Sequence, residues 1–409
     1  MEPVLRSALV GAVLAANAHK PRIRSLPLTI PSFAAGLIVG EAAGFFAAGR
    51  VLRMARAWRA NRYSTTQGKV ALALDVAAVA GFVTLVTQSL RVDDEFEAAL
   101  APHLSADFVE RRPSSVRNGA FFPLLMGAST TRMTRNVGYV ESARWRNTLD
   151  IYEPKRLDVP AGEHPAGPRP AIIEIHGGGW VLGNKNQQGL PLLHHMVKQG
   201  WVGFNINYRL APRAKFPEQL IDCKQAIAWV RQNAEQYNVD PNFICVTGGS
   251  AGGYLTAMVA LTENDPEFQP GFEDSDTSVQ AAVPFYGVYD IADENHAMVK
   301  FFPEFMHRVV VGSSFKTDGE RWKRFSPNRR IHKDAPPMLV VHGTNDTLVP
   351  VEQARPFVET LARESHNPVV YAELSGANHA FDLFPSPRSV RATEFVERFL
   401  TGVRQGVLR

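Results

Sequence analysis

A single serine, Ser250, stands in a pattern that presents a side chain for nucleophilic chemistry. It lies in the hexapeptide GGSAGG (248–253), directly after the apolar run 243–247 and directly before the helix-forming stretch 254–261. A G-x-S-x-G turn strains the serine backbone and pushes the hydroxyl out of the sheet, while its glycines let strand and helix pack closely. The pattern predicts a nucleophile, although the hexapeptide alone is also compatible with an ordinary Gly-rich loop.

Two residues downstream have the types that activate a serine hydroxyl. Asp346 follows the strand-like run 337–341, and His379 follows the strand-like run 369–374. A histidine can take the serine proton, and an acidic residue can orient that histidine. The order Ser, Asp, His, each in a loop after a predicted strand, is the chain order of the α/β-hydrolases.

Acyl transfer also needs hydrogen-bond donors for the oxyanion of the tetrahedral intermediate. The apolar run 171–175 ends in HGGGW (176–180), where backbone N–H groups can approach a substrate oxygen without a Cβ in the way. The N–H of Ala251, directly after the serine, adds a further donor. A phosphate-binding G-x-G-x-x-G motif is excluded because Leu182 stands where its third glycine is required.

From about residue 136 to the C-terminus the chain resembles the hormone-sensitive-lipase branch of the α/β-hydrolase esterases. The resemblance lies in HGGGW, YRLAP (208–212) followed by FP (216–217), GGSAGG, YGVYD (286–290), HGTNDTLVP (342–350) and the loop around His379. It implies a carboxylesterase or lipase with an acyl-enzyme intermediate.

The resemblance also assigns roles to residues of this chain. It implies Ser250 as nucleophile, His379 as base, Asp346 as its orienting residue, and the N–H groups of Gly178, Gly179 and Ala251 as the oxyanion hole. One residue departs from the family pattern: Gly249 stands where an acidic residue usually precedes the serine. We expect no cofactor, and no metal, since the remaining histidines lack metal-ligand spacing.

The strands end near residues 175, 209, 249, 287, 341 and 374 and alternate with helix patterns, and two further strands are predicted at 136–141 and 147–153. This alternation predicts an α/β fold with a doubly wound, mostly parallel sheet, a helical cap and N-terminal apolar helices. We expect membrane-associated helices in 1–90, a connector with cap helices in 91–135, and a catalytic domain in 136–409. Its insertion 291–330 holds aromatic residues that either line an acyl pocket or belong to the core.

The charge is unevenly distributed along the chain. The net charge is +4 and the pI about 9.0, but residues 1–69 hold ten Lys and Arg against two Asp and Glu, and the rest is net negative. The catalytic part has no basic patch interleaved with aromatic residues, so we expect no nucleic-acid partner. Cys223 and Cys245 are predicted to be small buried residues, with a disulfide left open.

Three apolar stretches occupy the N-terminal part. Residues 4–18 could be a secretory segment, a membrane helix or neither. Residues 33–49 and 70–90 approach the length needed to span a bilayer, and small residues recur in both every four positions. Glu41 and Asp75 argue for the alternative, a soluble cap of buried helices, unless their carboxyl groups are paired or protonated. We favour a membrane hairpin.

The Arg-rich loop 50–69, which contains Trp58, favours contact with anionic lipid. The positive-inside rule then places this loop in the cytoplasm and the catalytic domain on the non-cytoplasmic side.

Two other functions remain open. GGS-x-GG with HG-x-x-D-x-x-VP also resembles the prolyl-oligopeptidase catalytic domain, which implies a serine peptidase or amidase; that family lacks the HGGG loop. A catalytically inactive hydrolase fold that serves as a membrane-tethered binding protein is the other alternative.

For the preferred function, an esterase, we expect an ester substrate.

Overall fold

One eight-stranded sheet forms the centre of the molecule. The computed structural model describes residues 1–19, 28–105, 131–155, 167–384 and 386–408. The strands, in chain order, are β1 Thr131–Gly138, β2 Thr148–Pro154, β3 Arg169–Ile175, β4 Val202–Ile206, β5 Val239–Gly249, β6 Ala281–Phe285, β7 Met338–Gly343 and β8 Val369–Leu374. They lie side by side in the order β1-β2-β4-β3-β5-β6-β7-β8.

The sheet is mostly parallel. β1 pairs antiparallel with β2, and β2 antiparallel with β4, whereas all other neighbours run parallel. Parallel strands are covered on both faces and therefore read as continuous apolar runs, as the buried segment 338–341 of β7 does. The predicted fold class is confirmed.

Helices cover both faces of the sheet. They are α5 Val92–Leu100, α6 Leu190–Lys198, α7 Glu218–Gln232, α8 Ala251–Leu261, α11 Ala354–Glu364 and α12 Pro387–Gln405. The core on one face contains apolar side chains of α7, α8 and α11, and the core on the other contains those of α5, α6 and α12. Cys223 belongs to the first core and Cys245 to the second, so these two buried cysteines are free thiols on opposite faces.

The first strand differs from its prediction. It begins at Thr131 rather than at Asn136. Residues 132–136 are exposed edge positions with a single apolar residue, Met133, so no strand pattern is visible there in the sequence. Its pairing with β2 shifts register between Thr134 and Val137, and Asn136 takes a positive φ of 57° at this irregularity. Much of the expected connector and cap region lies at 106–130, outside the described residues, as do 20–27 of the N-terminal part.

The insertion 291–330 is helical, with α9 Phe302–Phe305, a π-helical turn Met306–Val311 and α10 Gly319–Arg324. Phe302, Met306 and Trp322 are buried in the core. Phe305 is half-buried at the edge of the core, and its Cζ lies 3.9 Å from where a Cβ on Gly179 would stand. The insertion therefore supplies core residues and one aromatic ring beside the HGGGW loop.

Four N-terminal helices precede α5 and the sheet: α1 Pro3–His19, α2 Thr29–Glu41, α3 Ala43–Arg59 and α4 Thr66–Leu90. The stretch predicted as one helix at 33–49 is divided, since α2 and α3 meet at an 83° bend at Ala42. α1 and α3 pack against α4, and a Cβ on Gly81 of α4 would lie 3.2 Å from the Cβ of Ala15 in α1. The small residues of α4 thus allow close packing against α1, whereas the hairpin expected from the sequence pairs α4 with the stretch 33–49.

In the described part of the chain, one helical stretch has the length and apolar character to cross a membrane. It is Thr66–His103, with a mean hydropathy of 2.2 in its most apolar window, 28% of which is buried. The bent pair α2 and α3 is a second candidate if the two helices are taken together as one broken span.

Candidate active site

Ser250 lies in a sharp turn between β5 and α8, with φ 60° and ψ −121°. This backbone conformation is strained for a residue with a side chain. A Cβ on Gly248 would lie 2.4 Å from the carbonyl oxygen of Ile175, and a Cβ on Gly252 would lie 1.9 Å from the same atom. Both positions therefore require glycine, and the strand, turn and helix follow one another as predicted.

The structure brings Asp346 and His379 together. Asp346 lies in the loop after β7 and His379 in the loop after β8, at neighbouring strand ends. His379 Nδ1 is 2.7 Å from Asp346 Oδ2, and both side chains are buried. A donor at Nδ1 leaves Nε2 as the proton acceptor of the ring.

Asp346 is held in its ionised form. Its Oδ1 accepts hydrogen bonds from the N–H groups of Leu348 and Val349, at 2.9 and 2.8 Å, and His342 Nε2 lies 3.4 Å from Oδ2. Burial raises the pKa of Asp346, but the charges of His379 and His342 and their hydrogen bonds outweigh burial and bring the pKa to about 2.

His342 supports the loop that contains Asp346. Its Nε2 lies 2.8 Å from the carbonyl oxygen of Val349, and the ring is buried.

The tyrosine Tyr286, which follows β6, links the serine turn to the histidine. Its ring centroid is 4.7 Å from that of His379, and its hydroxyl oxygen is 2.5 Å from where a Cβ on Gly249 would stand. No hydrogen bond of 3.5 Å or less joins Ser250 and His379 within the described residues. Catalytic hydrogen bonds of this kind are often long before substrate binds.

The HGGGW loop lies against the serine. A Cβ on Gly177 would stand 3.1 Å from the Cβ of Ser250, and Gly178 and Gly179 have φ values of 116° and 59°. In the described ranges, the N–H groups of Gly178, Gly179 and Ala251 donate no hydrogen bond within the protein. Three backbone donors beside the serine are thus free to bind an oxygen atom.

Two side chains, Gln188 and the motif residue Tyr208, hold this loop in place. The Gln188 side chain accepts a hydrogen bond from Gly177 N–H at 2.7 Å, and the Tyr208 hydroxyl donates to the carbonyl oxygen of His176 at 2.7 Å. Burial lowers the pKa of His176 to about 4, so its ring, stacked on Tyr208, is neutral at physiological pH. Gln188 had no signal in the sequence, because only the folded loop brings it to Gly177.

The structure explains why residue 249 is glycine. The Tyr286 hydroxyl occupies the space of a side chain at this position and donates a hydrogen bond to the Asp382 carboxylate. Asp382 lies near His379, and burial raises its pKa. A carboxyl group thus lies close to the serine turn, but it comes from the loop after β8 instead of from residue 249.

A buried carboxyl group, that of Glu174 in β3, lies near Asp382. Burial, together with the charge of Asp382, raises its pKa well above the ordinary value. An acidic residue inside an otherwise apolar strand is a signal that the sequence did contain, since charged groups are costly to bury.

Comparison with known proteins places this chain in a family. The BD-FAE family matches residues 149–361, more than half of the chain. The probable carboxylic ester hydrolase LipM of Mycobacterium tuberculosis is 39% identical over 97% of this chain and 92% of LipM. The chain belongs to the BD-FAE family.

Other known proteins that are similar to this BD-FAE chain are also named esterases. The esterase LipQ of M. tuberculosis is 38% identical over 78% of each chain. Among solved structures, a butyrate-bound esterase from Thermogutta terrifontis superposes with a TM-score of 0.54 and 28% identity, over 68% of this chain and 95% of the esterase. The LipM alignment leaves few residues uncovered, so it includes most of the N-terminal helices, whereas this solved structure matches only about two thirds of the chain.

No cluster of three or more His, Cys, Asp or Glu side chains able to hold a metal ion occurs in the described part of this BD-FAE chain. The histidines beside the serine turn contact carboxylate and carbonyl oxygens instead.

Proposed function

We propose that Ser250 is the nucleophile of a serine carboxylesterase, with His379 as its base and Asp346 as the residue that orients this base. The chain is an ester-hydrolysing enzyme, as its relatives named carboxylic ester hydrolase and esterase are. The observation that carries the residue assignment is the contact of 2.7 Å between His379 Nδ1 and Asp346 Oδ2, beside a serine in a strained turn.

The proposed reaction follows from this arrangement. Ser250 Oγ attacks the ester carbonyl carbon while its proton passes to His379 Nε2, and the carbonyl oxygen becomes an oxyanion. The N–H groups of Gly178, Gly179 and Ala251 donate to this oxyanion. The histidine then protonates the departing alcohol, and water attacks the acyl-enzyme to release the acid and regenerate Ser250.

Two observations support the acyl-enzyme route over an inactive fold. The three proposed oxyanion donors are unused within the described residues, and the Thermogutta terrifontis esterase has been crystallised in a form phosphonylated by sarin. Phosphonates react with activated nucleophiles, so a phosphonate probe tests the same property in this chain.

The test is the Ser250→Ala variant of the full chain. We expect ester hydrolysis and labelling by a fluorophosphonate probe to be lost almost entirely, with the thermal unfolding transition retained. Ser142→Ala, at an exposed serine, is the control and should leave both activities unchanged. Hydrolysis by Ser250→Ala at near the wild-type rate would contradict the assignment. Matched ester and anilide substrates distinguish the proposed esterase from an amidase, which would cleave both.

We further propose that α1 to α4 attach the enzyme to a membrane. Asp75 is buried among these helices and accepts hydrogen bonds from Arg50, at 3.0 Å, and from the Tyr63 hydroxyl, at 2.8 Å. Large apolar side chains are instead exposed on all four helices, among them Val13, Ile38, Phe45, Val76 and Val83. Water disfavours such a surface, and lipid favours it.

The proposed orientation places the catalytic domain on the non-cytoplasmic side. α3 and the turn after it expose Arg53, Arg56, Arg59 and Arg62 together with Trp58, which suits a cytoplasmic membrane surface. α4 then carries the chain across the membrane. A tethered active site suits an ester that partitions into lipid, and we propose such a substrate.

A further inference from the structure

The N-terminal unit, defined as α1 to α4, touches both loops that carry the proposed base and its orienting residue. The Phe33 ring of α2 packs edge-on against His379, with 6.0 Å between ring centroids. Asn345, next to Asp346, donates its side-chain N–H to the carbonyl oxygens of Ala18 and His19 at the end of α1, at 3.4 and 2.9 Å. The unit therefore contacts His379 directly from α2, and the neighbour of Asp346 from α1.

A buried ion pair fastens α2 to the catalytic domain. Glu41 accepts hydrogen bonds from Arg388 of α12 and, at 2.6 Å, from the hydroxyl of Ser386. The Glu41 and Arg388 side chains are only 5% and 2% exposed. A buried pair of this kind is costly to break, because either partner is left as an unpaired buried charge.

Arg388 also contacts the loop after β8 that contains His379, here called the histidine loop. Its second terminal nitrogen donates to the carbonyl oxygen of Ser375 at 3.2 Å, four residues before His379. The next residue, Gly376, has a φ of 71°, and a Cβ there would stand 2.5 Å from the side-chain oxygen of Gln88 in α4. The loop thus passes between α4 and α12 with little room to move.

The serine turn and the HGGGW loop, by comparison, are held by hydrogen bonds within the hydrolase domain. Ser250 N–H donates to the carbonyl oxygen of Phe285, and the Gly177 N–H and the His176 carbonyl bond to Gln188 and Tyr208. All of these partners belong to the hydrolase domain. The nucleophile is therefore positioned by the domain itself, and the base is positioned partly by the N-terminal unit.

We propose that the N-terminal unit is a positioning element of the reaction, which holds His379 and Asp346 against Ser250 through Phe33 and the Glu41–Arg388 pair. This inference rests on the proposed function, since it takes His379 to be the base. A displacement of about 1 Å between reacting groups can lower a rate about 100-fold. Breaking the Glu41–Arg388 pair is therefore expected to lower kcat while substrate binding is kept.

The experiment compares Glu41→Gln, Arg388→Gln and the double variant in the full chain, with a short-chain p-nitrophenyl ester as substrate. We expect each single variant to lower kcat about tenfold or more with KM within about twofold of wild type. Because the two residues share the Glu41–Arg388 contact, the double variant should lose clearly less than the two single losses combined.

Glu97→Gln is the matched control. Glu97 of α5 also pairs with an arginine of α12, Arg398, but the Glu97 side chain is 48% exposed, and Arg398 lies ten residues further along α12 than Arg388. Its kcat should stay within about twofold of wild type. Phe33→Ala is the second variant, should the charge variants lose their thermal unfolding transition, and its kcat should also fall with KM retained.

The inference is wrong if folded Glu41→Gln and Phe33→Ala keep wild-type kcat, if their loss lies in KM alone, or if the double variant shows additive losses. His379→Ala separates this failure from that of the proposed function. Activity retained in His379→Ala would contradict the role of the histidine, whereas activity lost there but kept in Glu41→Gln contradicts only the positioning role of the N-terminal unit.

Discussion

The carboxylate of Asp346 receives hydrogen bonds on both of its oxygens, and its surroundings define its role. Two backbone N–H groups fix Oδ1, and His379 and His342 approach Oδ2. An ionised carboxylate in this position selects the histidine tautomer that has its proton on Nδ1.

Asp346→Asn tests this tautomer selection. The amide can keep the acceptor for the two backbone donors, but its NH2 group then faces Nδ1 and favours the wrong tautomer. We expect kcat to fall about 10⁴-fold, as in the serine-protease example of this substitution. Steady-state ester hydrolysis measures the loss.

Asp290→Asn is the control for this substitution. Asp290 also follows a strand of the sheet and accepts hydrogen bonds from the backbone of its own loop, at Ala292 and Glu294, each at 3.0 Å. It does not contact His379, so its variant should keep kcat within about tenfold of wild type. Equal losses in both variants would mean that Asp346 acts only by holding its loop.

Gly249 is required because Tyr286 fills the space of its side chain. We predict that Gly249→Ala displaces Tyr286, which packs on His379, and lowers both kcat and the melting temperature, since the added Cβ would be 2.5 Å from the hydroxyl. Gly49→Ala, in a helix where a Cβ meets open space, should be neutral or stabilising by up to about 1 kcal/mol. A Gly249→Ala variant with wild-type kcat and melting temperature would contradict this explanation.

At the scale of elements, the HGGGW loop has a conformation that only glycine adopts easily. Gly178 has a φ of 116°, and a Cβ there would lie 2.4 Å from the carbonyl oxygen of Leu182. Gly178 can therefore keep this backbone conformation only while its position lacks a side chain.

We predict that Gly178→Ala moves an oxyanion donor and lowers kcat about 10² to 10³-fold with little change in KM, because the donors act mainly on the charge of the transition state. Gly271→Ala is the control: its φ of 83° imposes a similar backbone strain, but a Cβ there has no neighbour within 4 Å. A change in KM alone for Gly178→Ala would contradict the oxyanion role.

At the scale of the whole molecule, the apolar exterior of α1 to α4 leads to a prediction about fractionation. We expect the full chain to stay with membranes during carbonate and high-salt extraction, and Val83→Glu, on the exposed face of α4, to reduce the membrane-bound fraction. Val83→Ala should behave as wild type. Release of the wild-type chain by carbonate would show that nothing spans the bilayer.

Reporter fusions test the proposed orientation. A reporter at the C-terminus, which follows α12 of the hydrolase domain, should be active on the non-cytoplasmic side. Activity only in the cytoplasm would reverse the orientation and leave the assignment of Ser250, His379 and Asp346 unaffected.

The sequence by itself determined the sheet, the serine turn and the order of the candidate residues, because these depend on local patterns. An apolar run, a Gly-rich turn and a helix former are each readable within about ten residues, and the glycines are required by contacts at the turn itself. The start of β1 was missed because its exposed edge residues form a strand only through pairing with β2.

Only the tertiary structure decided which distant helices and loops contact the candidate site residues. Glu41 and Arg388 are 347 positions apart, and no local pattern predicts their contact. Likewise, the bend at Ala42, the Tyr286 hydroxyl in the space beside Gly249, and the packing of Phe33 on His379 arise from elements that meet after folding. Contacts of this kind are set by packing between distant segments, and a sequence pattern of helical or strand period contains no information on which distant face will be met.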